Sequence, residues 1–305
     1  MINGIKLIEI IIPIYNEENN ISLICEEIFK LKVEKIKFLI HYIDDGSKDN
    51  SWKLIKDLSN KYEHVNGTKL TRNFGKDHAI LAGIQKCKSD FALIMDGDLQ
   101  HPVNTIIELV HKINSENCDV VTGNKIYQDQ SFFRTVYYYI FKQLTAIDLK
   151  NNSDFKIINK KVINFLTQST EKNFFFRGMI EWSGFKLDKV DFKVGERIHG
   201  KSKYNFSSLL HIGFNSIFSY STTPLRLITI SGLILLFISS LLFLRTIYLK
   251  IFSTVFDGYT SLMILILIFL SFLIISVGVV GEYLAKIYTE IKYRPPYIIY
   301  ETTKK

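Results

Sequence analysis

The chain has 305 residues, with 38 Lys and Arg against 30 Asp and Glu, and its net charge of +8 favours anionic partners: nucleic acid, a membrane surface or phosphorylated substrates. Three scattered cysteines, Cys25, Cys87 and Cys118, form no C-x-x-C pair, which excludes a disulfide framework and fits a reducing compartment. The length allows one substantial domain plus something smaller, and the 13% aromatic content, with 23 Phe and 16 Tyr, is commoner in membrane proteins than in nucleic-acid binders.

The first residues, "MINGIKLIEIIIPIYNEENN", lack the basic start, apolar core and small-residue cleavage site of a signal peptide, so the large N-terminal part is expected in the cytosol. Short apolar runs then alternate with helical patterns. Strands are expected at 8–15, 38–44, 65–71, 91–96 and 118–123, and helices at 18–32, 50–61, 76–87 and 103–115. This rhythm implies βαβ units and a largely parallel sheet, in which ligands bind beyond the carboxyl ends of the strands. The polar clusters "PIYNEE", "DDGSKDNS", "RNFGK" and "DGDLQHP" all fall there. The 16 glycines contain no G-x-G, so the dinucleotide fingerprint is absent.

Asp96 and Asp98 end an apolar strand with one glycine between them. Carboxylates so spaced can converge on a hard cation, Mg²⁺ or Mn²⁺, whose remaining ligands come from substrate phosphates and water. Asp44, Asp45 and Gly46 end a second strand. One acidic loop can then read a base or ribose while the other holds the metal on a diphosphate.

Further on, "FFRTVYYYIF" (132–141) packs six aromatics around Arg134 and reads as a helix able to lie at a membrane interface, and "KLDKVDFKV" alternates like a strand. "GERIHGKSKY" (195–204) matches the phosphate-loop spacing through Gly195, Gly200, Lys201 and Ser202. No room for the companion sheet follows it, which excludes an ATPase loop. From Tyr204 to Ser221 apolar residues recur at helical spacing, as in an in-plane amphipathic helix. Two uncharged runs follow, 18 residues from Leu227 and 24 from Gly258, each near the length that crosses a roughly 30 Å hydrocarbon layer. Basic residues are richer on the outer flanks than in the short connection, so a hairpin with both ends in the cytoplasm is expected.

"IIPIYNEENNI", "YIDDGSKDNS", "LTRNFGKDHAILAGI" and "MDGDLQHP" resemble the successive motifs of glycosyltransferase family 2. "SDFKIINKKVI", "FFFRGMIEWSGF", "ERIHGKSKY", "YSTTPLRL" and "GEYLAKIYTEIKYRPPYII" extend the resemblance, nearly end to end, to its polyprenyl-phosphate glycosyltransferases, the subgroup of dolichol-phosphate mannose synthases and bactoprenol glucosyltransferases. The resemblance implies an α/β GT-A domain at 1–203, an amphipathic juxtamembrane helix at 204–222, two transmembrane helices at 223–285 and a cytoplasmic basic tail at 286–305. It implies that Pro13, Tyr15, Glu17, Asp45 and Lys76, with Asp44 beside them, hold the nucleotide-sugar. Asp96 would sit near ribose and metal, Asp98 and Gln100 would ligate Mg²⁺ or Mn²⁺, and Asp154 would stand beside the reacting centre as base or positioning residue. Arg197, Ser202 and Lys203 would close over the diphosphate, with Gly200 permitting the turn. Arg177 would contact substrate and, with Lys125 and Arg134, would hold the acceptor phosphate. Two departures stand out: Lys125 replaces a family arginine in "GNK", losing its fork, and His101 replaces the last aspartate of D-L-Q-D-P.

The implied reaction is inverting, metal-dependent hexose transfer from a nucleotide-sugar, UDP-glucose as first guess, to a polyprenyl phosphate at the cytoplasmic membrane face. Catalysis would rest on Asp154, Asp96 and Asp98. Alternatives are another donor (GDP-mannose, a UDP-N-acetylhexosamine or a UDP-aminoarabinose derivative) or a processive polysaccharide synthase. A non-catalytic sensor and a nucleic-acid binder are disfavoured, and homo-oligomerisation is left open.

Overall fold

A computed structural model describes residues 7–31, 33, 35–115, 118–126, 132–145, 148, 151–193, 221, 223–252, 258–292 and 294–303. The chain divides into two compact units, Met1–Tyr204 with Arg294–Lys305, and Asn205–Tyr293.

In the first unit the early elements fall close to their expected bounds. They are β1 (Leu7–Ile14), α1 (Glu18–Lys30), β2 (Lys37–Asp44), α2 (Ser51–Lys61), β3 (Val65–Leu70), α3 (Lys76–Lys86), β4 (Phe91–Ile94), α4 (Val103–Ser115) and β5 (Val120–Ile126). β1 reads "LIEIIIPI" and is buried along nearly all its length, the signature of a central strand covered on both faces. α1 buries Ile21, Ile24, Cys25 and Ile28, one stripe at helical spacing, against that sheet. Next come α5 (Phe132–Thr145), β6 (Asn152–Asn159), α6 (Lys160–Thr167), α7 (Phe176–Trp182) and β7 (Leu187–Lys193). On α5, Phe141 is buried and Tyr139 exposed. All three cysteines are buried as free thiols.

The eight strands form one sheet in the order β7-β5-β6-β4-β1-β2-β3-β8. The pairs β1/β2, β1/β4, β2/β3 and β5/β7 are parallel. β6 runs antiparallel between β4 and β5, so the sheet is mixed but mostly parallel. Its register, Phe91 opposite Asn159 to Ile94 opposite Lys156, brings Asp154 across from Asp96 when extended by two residues.

The tail departs from the expected basic extension at 286–305. Ile299–Thr302 forms β8, antiparallel to β3, and the segment from Arg294 belongs to the first unit. Trp52 Nε1 donates to Glu301 Oε2 at 2.9 Å, Gly67 N donates to Thr303 Oγ1 at 2.8 Å, and Thr71 N donates to Ile298 O at 2.9 Å. A strand-forming "YIIYET" covers the otherwise open edge of β3.

In the second unit, α8 (Thr223–Phe252) and α9 (Tyr259–Ile291) are long and apolar enough to cross a membrane. Their most apolar stretches, Leu225–Leu242 and Ile268–Ile291, have mean hydropathy 2.2 and 2.1 and bury none of that surface within the protein. α9 runs six residues beyond the expected boundary at 285. Tyr283 Oη donates to Ser221 O at 2.7 Å. The expected amphipathic helix lies, Ser221 apart, outside the described residues.

Candidate active site

The site is built on the carboxyl ends of β1, β2, β3 and β4. At the end of β2, Gly46 has φ +70°, a left-handed turn that favours glycine, and a Cβ there would lie 2.5 Å from the Arg72 carbonyl carbon. This close approach lets Phe74 N and Gly75 N donate to Asp45 Oδ1 and Oδ2, at 2.7 and 2.9 Å. Asp45 therefore pins the loop that leads into Lys76. Asp44, expected beside the nucleotide, lies inside the fold. It is fully buried, its Oδ1 accepts from Ser47 N at 2.8 Å, and Lys69 Nζ lies 3.9 Å from Oδ2. Packing has turned it inward to brace the turn.

Lys76, the first residue of α3, reaches the centre of the site. Its Nζ lies 2.5 Å from both Asp96 Oδ1 and Asp154 Oδ2. Arg177, on α7, forks onto Asp154, with Nε to Oδ1 at 2.6 Å and Nη2 to Oδ2 at 2.7 Å. Burial pushes the Asp154 carboxyl up, but Arg177 and Lys76 outweigh it and hold the group well below the usual carboxylate range. Asp96 is lowered as well: burial acts against it, and Lys76 and then His101 pull it down. Burial disfavours the charged Lys76, yet Asp154 and Asp96 raise it above its ordinary value. The cluster is a fully ionised, charge-alternating chain: Asp96, Lys76, Asp154, Arg177.

Gly97 lets the D-G-D turn lie against β1, where a Cβ would sit 2.6 Å from Ile14 Cδ1. Gln100 N donates to Asp98 Oδ1 at 3.2 Å. His101 is a buried anchor of this loop: it stacks on Phe155 at 4.5 Å and accepts from Asp96 N through Nδ1 at 3.2 Å. Burial drives its pKa down to about 4, against the pull of Asp96, so it is neutral at pH 7. Pro13 is the penultimate residue of β1, and Tyr15 follows the strand, half-buried. Glu17 caps the chain entry to α1 and accepts from Asn20 Nδ2 at 2.7 Å.

Lys125, on β5, is half-buried; burial lowers its ammonium, with nearby Asp96 opposing. Arg134 stands on α5, but its side chain is outside the described residues, as are Arg197, Ser202 and Lys203. The structure thus assembles Lys76, Asp96, Asp154 and Arg177 directly, with Asp98 and Gln100 on the same loop as Asp96.

Four participants were not singled out from sequence. Asp77 Oδ1 accepts from Phe176 N at 2.9 Å and so fixes the start of α7. Lys156 is completely buried and donates to Thr122 Oγ1 and Asn152 Oδ1, at 2.9 and 2.5 Å. Asn152 Nδ2 donates in turn to Glu181 Oε1 at 2.6 Å, and the Asn152 carbonyl accepts from Arg177 Nη1 at 3.5 Å. The only sequence signal was a charged lysine within an otherwise apolar "FKII".

On a mostly parallel sheet, an acidic strand-end loop is joined through Lys76 to Asp154, which Arg177 orients. The chain belongs to glycosyl transferase family 2, whose family model matches residues 9–181, and it is a glycosyltransferase. It is 35% identical to CsbB of Bacillus subtilis over 97% of this chain and 92% of that protein. It is 31% identical to the bactoprenol glucosyl transferase of Shigella phage SfV, over 98% of this chain and 99% of that one. A solved mannosyltransferase from Pyrobaculum calidifontis is 15% identical, covering 71% of this chain and 64% of that one, with a TM-score of 0.49.

Proposed function

We propose that the protein transfers a hexose, glucose first, from a nucleotide-sugar, UDP-glucose first, to a polyprenyl phosphate at the cytoplasmic face of a membrane. The observation that carries this reading is the match at 31% identity, along essentially the whole of both chains, to a protein named bactoprenol glucosyl transferase. That match includes the two long apolar helices. Two successive spans return the chain to the side it left, which supports a hairpin with both outer ends on one side. The basic outer flanks favour the cytoplasm for that side.

The residues fit a divalent cation. Asp96, Asp98 and Gln100 offer hard oxygen donors from one loop. Among the described residues no group of three or more His, Cys, Asp or Glu converges, so the loop offers a partial donor set. Mg²⁺ and Mn²⁺ accept such a partial set and complete their shells with diphosphate and water. When bound, the cation would neutralise charge on the departing nucleoside diphosphate.

The chain's own groups do the positioning. A polyprenyl phosphate is already anionic near neutral pH, so strong base catalysis is unnecessary. Asp154 matches that demand: a carboxylate clamped by Arg177 and Lys76 is a poor proton acceptor but holds both cations in fixed orientation. Lys125 and Arg134 are assigned to the acceptor phosphate, with Arg177 as a backstop already engaged by Asp154. Arg197, Ser202 and Lys203 are assigned to the donor diphosphate. Attack from the face opposite the leaving group would invert the anomeric carbon.

The test offers purified protein a panel of nucleotide-sugars with undecaprenyl phosphate, in Mg²⁺, Mn²⁺ or EDTA, beside Asp98→Asn. Sugar transfer from one donor, lost in EDTA and lowered by orders of magnitude in the variant, is expected. Full activity in EDTA would remove the metal from the reading. No transfer to the lipid from any donor would remove the acceptor.

A further inference from the structure

A second cleft, of about 360 Å³, opens on the first unit. Arg72 and Phe74 of the β3–α3 loop, His78 of α3, Lys172 and Arg294 line it, and no acidic residue does. None of the residues of the Asp96–Lys76–Asp154–Arg177 chain takes part. Three strong cations thus converge from chain segments that are distant in sequence. Surfaces normally intersperse the two signs, because like charges held together repel. Among the described residues, neither Arg72 nor Arg294 has a carboxylate partner.

The walls are fixed without any ligand. Thr71 N donates to Ile298 O at 2.9 Å, which zips the loop to the returning segment. The two ring nitrogens of His78 each face a carbonyl, Phe74 O and Lys172 O, both at 2.9 Å. The Arg72 guanidinium lies over the Phe74 ring, 4.3 Å from its centroid. Pro295 and Pro296 stiffen the backbone that carries Arg294. The Arg72 guanidinium, held over Phe74, loses little freedom on binding, and the planar forks of both arginines match phosphate oxygens. The volume is at the lower end of small-ligand sites, about 300–1,000 Å³.

We propose that this cleft binds a phosphate-bearing anion, either the headgroup of an acidic lipid or a soluble phosphate compound, on side chains that the Asp96–Lys76–Asp154–Arg177 cluster does not use. The experiment uses the full chain without donor and in EDTA, with Arg72→Gln and Arg294→Gln as test variants and Lys53→Gln, an exposed lysine of α2, as control. Two probes are applied: inorganic phosphate titrated onto protein in detergent, and nanodiscs of phosphatidylcholine with or without phosphatidylglycerol, read by thermal unfolding. Each arginine variant should weaken binding about tenfold or more, as expected for loss of a charge-assisted bond, and Arg294→Lys should lose less. Asp98→Asn should bind like the parent, which separates this site from the transfer centre. Phosphate binding that requires both arginines assigns a soluble ligand. Stabilisation only by phosphatidylglycerol, abolished by the same variants, assigns a headgroup. No binding of either probe, or equal loss in Lys53→Gln, overturns the proposal.

Discussion

Arg177 and Asp154 form a bidentate pair across two elements, α7 and β6, with contacts of 2.6 and 2.7 Å. Asp154 is almost wholly buried at 4% exposure, and its second partner, Lys76, also touches Asp96. A planar fork satisfies both carboxylate oxygens at once, which a lysine cannot do. The pair therefore fixes the orientation of Asp154 and, through it, of the lysine that faces the acidic loop.

Replacing the fork by a point charge tests this. Arg177→Lys should reduce sugar transfer about tenfold to a hundredfold, the effect of losing one charge-assisted bond of roughly 1.5–3 kcal/mol. Steady-state kinetics beside a thermal unfolding curve make the check. A variant with parental turnover would show that the fork is dispensable.

Gly46→Ala should destabilise the domain by about 2 kcal/mol or more. Its left-handed φ costs about 1 kcal/mol for an alanine, and the new methyl meets the Arg72 and Asn73 backbone rather than a side chain that could move. The displaced loop carries the amides that Asp45 holds, so the donor KM should rise together with the fall in Tm. Unchanged melting would contradict the close packing of these two loops.

Lys156 gives a pH dependence. Burial lowers its ammonium to about 7 in the folded chain, from 10.5 when exposed, and Glu181 opposes this only in part. Between these values the unfolded chain binds the extra proton, so stability rises with pH from about 7 to 10.5. Below about 7 both states are charged and the full cost of the buried ammonium remains. Lys156→Met should be flatter over that window. The difference between the two unfolding profiles from pH 6 to 10 isolates the lysine from other groups, and parallel profiles would refute the assignment.

Removing β8 should matter more than removing one of its bonds. Trp52→Phe deletes the donor to Glu301, at a cost of about 1 kcal/mol. Truncation before Ile298 also bares the edge of β3 and frees the Thr71 amide. Greater loss of soluble, folded protein on truncation than in Trp52→Phe is expected. Equal melting of truncated and parent chains would mean that the tail is a passive extension.

The sequence by itself determined the elements whose information is local. β1 to β4, the helices between them and the two apolar helices were legible because period-2 runs, helical stripes and long uncharged stretches each act within a few residues. The strand-end acids were legible for the same reason, and the ordered motifs carried the family. Three features were decided only by tertiary structure. β6 enters the sheet antiparallel between β4 and β5, a register chosen by pairing over some 60 residues of chain, and this carries Asp154 to the end of β4 where Lys76 bridges it to Asp96. The tail read as a basic extension but closes the sheet, because the partner that makes it a strand, β3, lies more than 200 residues away. Asp44 and Asp45 look equivalent in sequence, yet one faces the interior and the other holds a loop. Which way an acid points, and which cation it meets, depends on packing between distant segments, and that information exists only once the sheet has closed.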